Sequence, residues 1–392
     1  MESARRALDL VVFGATGYTG QLVAEHLAKR YGEHPTGPKW AMAGRSAAKL
    51  DEVRDVIGAP KRTSLFVANS QDPVSLRALA ARARVVLSTV GPYQLHGEPL
   101  LRACIEAGTD YADLCGEPVW MRQMIDKYAA AARDSGARIL FSCGFDSIPF
   151  DLGVLMLQKE VRRRFGAHAT RIEARVRIIN GKLSGGTAAS LTATSRAVAE
   201  DPSLLPYLTS PFALTPGFAG PEQPAGDIPT YDETLASWAA PFLMAPINTK
   251  NIHRTNQLLN HTYGVDFLYD EMLLTGPGER GRILAKRLAE TQIVGTSRDP
   301  EPGEGPSREE RAKGSFEVLF IAGIQDGRAL RYRVSGRQDP GYGSTGRMLA
   351  ETGVALLSSH GSGGITTPGA LLGEALVHRL RENAEIAFGV DD

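Results

Sequence analysis

Leu8–Phe13 (LDLVVF) runs straight into Gly14-Ala15-Thr16-Gly17-Tyr18-Thr19-Gly20, and then into a helical spacing at Leu22, Val23 and Leu27. An unbroken apolar run is how a strand buried on both faces reads, and parallel sheets bury their strands in this way. Glycines between a strand and a helix let the backbone turn tightly and approach a diphosphate. The helix start then presents free N–H groups and the positive end of its dipole. This feature calls for an α/β fold with a dinucleotide site at the end of the first strand. The same turn also reads as a tight connection without a ligand. Its spacing, GxxGxxG, departs from the common GxGxxG and is one that extended reductases use.

The alternation continues. Trp40–Ala43, Leu65–Ala68, Arg84–Val90, Tyr111–Leu114 and Arg138–Ser142 read as strands. The intervening helices are Ala47–Ile57, one opened by Asp72-Pro73 as cap and first turn, Leu100–Ala107 closed by Gly108, and Val119–Ser135. Strands alternating with helices predict a doubly wound parallel sheet over residues 1–150. After that the pattern changes. Arg171–Ile179 alternates polar and apolar residues, as a half-exposed antiparallel strand does, and Phe316–Ile321 and Ala329–Val334 read as strands joined at Asp326-Gly327. Residues 151–345 are therefore expected to form a second α+β domain with a mixed or antiparallel sheet. Ser297–Lys313, rich in charge, Pro and Gly, reads as an exposed, mobile loop. Residues 346–392 return to helix, with Gly346–Ser358 and a second run capped at Thr367-Pro368 before Leu371–Arg381.

Composition excludes several classes. Lys+Arg and Asp+Glu are both 44 in 392 residues, so no net charge draws the chain to nucleic acid. Three cysteines, Cys104, Cys115 and Cys143, with no CxxC pair argue against a disulfide framework and a cysteine-rich zinc site, and for a reducing cytoplasm; no metal site is expected. The N-terminus does not read as a signal peptide, and no run of about 18 apolar residues reads as a membrane span.

The second strand ends in Ala43-Gly44-Arg45-Ser46 without the acidic residue that accepts ribose hydroxyls in NAD sites. Arg45 offers a cation to a 2′-phosphate and Ser46 a hydroxyl, so NADP(H) is the expected cofactor. Otherwise Arg45 is a solvated surface arginine. The fourth strand ends in Ser88-Thr89-Val90-Gly91-Pro92-Tyr93, where ligands of open parallel sheets lie.

GATGYTG, AGRS, STVGPY, ACIEAGTDYADLCGE (103–117), CGFDSIPFDLG (143–153), SGGT (184–187), GEGPS (303–307), DPGYGSTGRMLAE (339–351) and GGITTPGALLGEAL (363–376) together resemble the saccharopine dehydrogenase-like oxidoreductases, in the branch of bacterial trans-acting enoyl reductases. The resemblance covers residue 10 to about 380. It implies a Rossmann domain, a second α/β domain, C-terminal helices over residues 346–392 packing back on the first, and reduction of a carbon–carbon double bond on a polyketide-type acyl chain, supplied in trans to a synthase. The middle region shows no basic cluster of the kind an amino-acid adduct with several carboxylates needs.

The chemistry candidates carry two readings each. The Tyr-x-x-x-Lys pair of short-chain dehydrogenases is absent. Enoyl reduction needs a donor for the developing enolate oxygen and a proton source for carbon. Tyr93 and His96 are placed to donate to a carbonyl, or are ordinary loop residues. Asp146 and Ser147 lie at the domain junction, as chemistry or as helix caps. Ser184-Gly185-Gly186-Thr187 offers bare N–H groups to a carbonyl oxygen or a phosphate, or is a helix start capped by Thr187. Glu117 orients a ribose or sits on its own helix N-terminus. Cys115 and Cys143 read as small buried apolar residues. Lys250, His253 and Tyr342 are weaker candidates. Residues 204–247, apolar and broken by proline, would line a cleft for an acyl chain, or form a homodimer contact or a peripheral membrane patch. A non-catalytic nucleotide-binding or lipid-associated protein is the rival to the reductase, and imine or ketone reduction the rival chemistry.

Overall fold

A computed structural model describes residues 6–32, 34, 36–181, 184–291, 304–324 and 327–391. The strands are β1 (Leu8–Phe13), β2 (Trp40–Gly44), β3 (Ser64–Val67), β4 (Ala83–Ser88), β5 (Asp110–Asp113), β6 (Arg138–Leu140), β7 (Arg171–Asn180), β8 (Thr230–Asp232), β9 (Ser237–Pro241), β10 (Leu268–Gly276), β11 (Ser315–Gly323), β12 (Ala329–Gly336), β13 (Gly364–Thr366) and β14 (Ile386–Val390).

The first sheet has the order β13-β6-β5-β4-β1-β2-β3, and every pairing in it is parallel. All five residues of β2 are buried, and in β1 and β4 all but one, as the apolar runs require. The order reverses between β1 and β4, so the glycine turn after β1 sits at the switch point where such sheets hold ligands. β4 and β6 stop earlier than their apolar runs suggest, at Ser88 and Leu140. The residues after them leave the ladder and form loops at the sheet's carboxyl edge.

The second sheet is mixed, with the order β14-β12-β11-β7-β10-β9-β8. Its central strand β7 corrects the antiparallel expectation in part: it pairs antiparallel with β11 but parallel with β10. β10 escapes a periodicity reading because Asp270 and Glu271, both buried, interrupt its apolar run. Burial is tolerated because each has a partner: Arg175 Nη1 donates to Asp270 at 2.6 Å, and Asn248 and Tyr269 donate to Glu271. The proline-broken stretch contains the helix Leu205–Thr209 and the strands β8 and β9. β11 and β12 pair from Phe316–Gly336 to Gly323–Ala329, while Asp326 lies outside the described residues.

Two further differences have local causes. Residues 297–303 lie outside the described part of the chain, but Arg308–Lys313 is a helix, not a mobile loop. Ser307 accepts from the Glu310 amide and the Glu310 carboxylate takes the Ser307 amide, a capping box hidden in a charge-rich run. The end of the chain serves both sheets, since β13 pairs with β6 and β14 with β12. Ahead of β13, the helix Thr345–Ser358 packs on the helix Tyr18–Tyr31 and on β4. The helix Ile148–Phe165 packs on β11 and β12, and one apolar cluster spans both sheets.

Candidate active site

The glycine turn is built by close approach. Gly14 has φ +89°, and a Cβ there would lie 2.7 Å from Thr89 Oγ1 and Val90 Cγ2. A Cβ on Gly20 would collide with the Gly14 carbonyl, so the helix start can lie against the turn only without a side chain. The Gly14 and Ala15 amides donate to Ala43 O, and Gly17 N to Gly14 O at 2.9 Å. Thr16 contributes its carbonyl to Gln21 Nε2 at 3.1 Å. Gly17, the N-cap of the Tyr18–Tyr31 helix, has no side chain to take the first-turn amides. That is the cradle a diphosphate fits. Thr89 N donates to Phe13 O at 3.0 Å, which ties the loop after β4 to the same turn.

At the end of β2, Arg45 is exposed, and no carboxylate of the described residues comes within 4.0 Å of it. Ser46 caps the helix Ala47–Val56, accepting from Lys49 N at 3.3 Å, which leaves its hydroxyl proton free. A cation, a hydroxyl and a helix N-terminus therefore meet where an adenosine 2′-phosphate would lie, and they fit that group.

A cavity lies beyond the carboxyl edge of the first sheet. Thr19 from the glycine turn, Thr89, Gly91 and Tyr93 after β4, Leu114–Gly116 after β5, and Ser142, Gly144, Asp146 and Ser147 after β6 form its floor. Ser184, Gly186, Thr187, Ser190 and Leu191 come from the helix Gly185–Glu200, with Met244, Gly341 and Thr345 completing the wall. The candidates Tyr93, Asp146, Ser147 and Thr187, over 90 residues of sequence, thus share one space with Thr19, Thr89 and Gly91. Val90 flanks the turn; Ser88 and Pro92 do not line the cavity. Among the described residues that line it there is no Lys, Arg or His, and Asp146 is its one carboxyl.

Asp146 has no hydrogen-bond partner among the described residues, and burial alone pushes its carboxyl up to about 6. Ser147 is at the N-cap position of the Ile148–Phe165 helix but makes no cap bond. Its hydroxyl donates to Asn248 Oδ1 and accepts from Asn251 Nδ2, both at 3.0 Å. Asn248 Nδ2 continues to Glu271 Oε1 at 2.8 Å, and burial raises Glu271 to about 8. Ser147 is therefore the cavity end of a buried polar chain, with its proton already committed.

The geometry corrects three expectations. Tyr93 points its hydroxyl away from chemistry: it donates to Ser88 O and accepts from Leu114 N, both at 3.1 Å, and burial lifts it well above the usual phenol range. Ser184, not Thr187, caps its helix, accepting from Thr187 N at 2.9 Å. Two of the amides there are taken, Thr187 N by Ser184 Oγ and Gly185 N by Tyr342 Oη at 3.1 Å. The Ser184 and Thr187 hydroxyls are 2.8 Å apart and share one hydrogen bond, so one of their two protons stays free. Glu117 follows neither of its readings: its carboxylate accepts from the amides of Tyr93 and Gln94 at 2.8 Å and from Ser190 Oγ at 2.6 Å. It holds the loop after the cis Gly91-Pro92 bond to the helix Gly185–Glu200, which carries Ser190.

Other candidates lie outside the cavity. Lys250 is buried, donates to Leu208 O and Pro246 O, and is lowered by desolvation to about 8. His253 is buried against Phe212 and Phe267 and held neutral. His96 is half-buried and lines no part of it. Ser142, Ser190 and Thr345 line the cavity without having been singled out in the sequence, whereas Met244 comes from the 204–247 stretch expected to line a cleft. Thr345 accepts from Phe145 N at 3.0 Å, a contact across 200 positions that no local pattern announces.

The family model of the saccharopine dehydrogenase NADP binding domain matches residues 10–140. A protein of Mycobacterium tuberculosis is 37% identical, over 97% of each chain. Trans-acting enoyl reductases of Mycobacterium bovis and Mycobacterium ulcerans are 35% and 33% identical, over 97% and 98% of each chain. Among solved structures, apo saccharopine dehydrogenase (L-Glu forming) of Saccharomyces cerevisiae shares the fold, at TM-score 0.55 and 12% identity over 98% of this chain and 99% of that one. Homospermidine synthase of Legionella pneumophila, solved with NAD, does so at TM-score 0.55 and 12% identity, over 98% and 91%. With a matching nucleotide domain and relatives similar over almost their whole length, the chain belongs to the saccharopine dehydrogenase-like family, among the trans-acting enoyl reductases, and is an NADP-dependent oxidoreductase.

Proposed function

We propose that this protein reduces the carbon–carbon double bond of an uncharged enoyl thioester, presented on a carrier by a polyketide-type synthase. The observation that carries this reading is the cavity itself. Among the described residues it has hydroxyls, four apolar side chains (Leu114, Cys115, Leu191 and Met244) and one unpartnered carboxyl, with no lining cation to hold a substrate carboxylate. An amino-acid adduct would leave its carboxylates unpaired there, whereas a thioester needs one donor and one acid. The names of the mycobacterial relatives point to the same reaction.

Gly14, Gly17, Thr19 and Gly20 would hold the diphosphate, with Arg45 and Ser46 at the 2′-phosphate. NADPH supplies the hydride when bound. The Ser184–Thr187 pair donates its free hydroxyl proton to the thioester oxygen as negative charge develops there. Asp146, held above the usual carboxylate range by burial, carries a proton for the α-carbon. Ser147 and Glu117 act as positioning residues, fixing the loops on either side.

The test is NADPH oxidation with crotonyl- and longer enoyl-thioesters on a pantetheine carrier, beside ketone and imine acceptors. Turnover of enoyl thioesters alone supports the proposal. Turnover only with ketones or imines overturns the substrate, and NADPH binding without turnover of any acceptor overturns catalysis.

A further inference from the structure

The dinucleotide turn does not stand alone. Glu304–Lys313, the segment entering β11, lies across it. Tyr18, first residue of the helix behind the turn, gives its hydroxyl proton to Pro306 O. Arg311 Nη1 donates to the Tyr18 hydroxyl and, at 2.9 Å, to Pro306 O. The guanidinium carbon lies 5.7 Å from the centre of the Tyr18 ring. Gly305 rests on that ring so closely that a Cβ would collide with it. Tyr342 meets Tyr18 edge-on at 4.8 Å, donates to Glu304 O at 3.0 Å and accepts from Gly185 N, at the start of the helix that lines the cavity.

No carboxylate of the described residues comes within ion-pair distance of Arg311. Asp339, whose amide donates to Arg311 O at 2.9 Å, turns its carboxylate onto the amides of Tyr342 and Gly343. A guanidinium beside the N-terminal turn of a dinucleotide helix, short of an anion, is placed for phosphate. We propose that Arg311 is a cofactor-site residue contributed from outside the nucleotide domain, and that the Glu304–Lys313 strap with Tyr18 forms the second wall around the cofactor's diphosphate. This rests on the NADPH reading above. Arg45 would then choose between NADPH and NADH, while Arg311 strengthens both, because both carry the diphosphate.

The experiment is a fluorescence titration of the full-length protein with NADPH and NADH. It is paired with competition by ADP-ribose, which has the diphosphate, and adenosine 2′-monophosphate, which lacks it. R311M is expected to weaken NADPH, NADH and ADP-ribose by at least about tenfold and leave adenosine 2′-monophosphate unchanged. R311K restores part of the loss, since a lysine keeps the charge but not the fork. Y18F, which keeps the ring and removes the hydroxyl, should give a smaller loss with the same probe dependence. If R311M binds all four probes like the wild type, or loses all four equally, Arg311 is a structural clasp and the proposal is overturned. If the wild-type protein binds neither dinucleotide, the NADPH reading itself fails, which is a different result.

Discussion

Asp146 and Arg45 are the two side chains on which the reaction and the cofactor choice turn. Asp146 has no donor to stabilise its charge, and burial alone sets it at about 6. A raised carboxyl used as an acid works below its own value. Turnover by the wild-type protein should therefore fall as pH rises through about 6, and D146N should lower kcat roughly 10²–10⁴-fold and abolish that limb, read from pH–rate profiles. Arg45 is exposed and stands without a carboxylate partner, so R45A should leave the fold intact. It is expected to weaken NADPH roughly tenfold or more while leaving NADH unchanged, as measured by titration, because only NADPH carries the 2′-phosphate.

At the scale of elements, the site depends on how loops leave the first sheet. The Glu117 carboxylate collects two amides of the loop after β4 and the hydroxyl of Ser190. Charge-assisted bonds of this kind contribute about 1.5–3 kcal/mol each. E117A should therefore lower Tm and raise KM for the acceptor, while E117Q, which keeps an acceptor oxygen, should be milder in both thermal unfolding and kinetics. The glycine turn was legible as sequence because its requirement is local: a strand, a tight turn and a helix start are neighbours along the chain. The lining of the cavity was legible only in part. Asp146 and Thr187 stood out as polar residues beside glycine turns, whereas Thr345 reaches the cavity through a contact with no sequence neighbourhood. The fate of each hydroxyl was not legible at all, as Tyr93 shows, because Ser88 and Leu114 compete for it only once β4 and β5 are paired.

Across the whole molecule, buried acids couple stability to pH. Burial raises Asp113 to about 7, Asp151 to about 6 and Glu271 to about 8. The unfolded chain releases such protons near pH 4, whereas the folded chain keeps them longer. The native state thus binds more protons between about pH 4 and 8, and this part of the stability is lost as pH rises through the folded values. Tm should fall from pH 5 to pH 8.5, and E271Q, which mimics the protonated acid, should flatten the upper part of that decline. Glu351 behaves oppositely. Fully buried, it takes His26 Nε2 at 2.7 Å, the Tyr31 hydroxyl and Arg379 Nη2, joining the helix Tyr18–Tyr31 to the helices Thr345–Ser358 and Gly373–Asn383. E351A should lower stability by about 3–5 kcal/mol in denaturant unfolding, since it leaves Arg379 without its buried partner.

The sequence by itself determined the parallel sheet, the glycine turn at its switch point and the absence of an acid after β2. Each follows from residues a few positions apart, through side-chain period, backbone sterics and charge. Tertiary structure alone decided that β10 is a strand despite Asp270 and Glu271, and that β13 and β14 divide the tail between two sheets. It also decided that Gly305 and Arg311 lie against Tyr18, almost 300 positions away. A buried charge or a close backbone contact is tolerable only when its partner is present, and those partners come together only when the chain has folded.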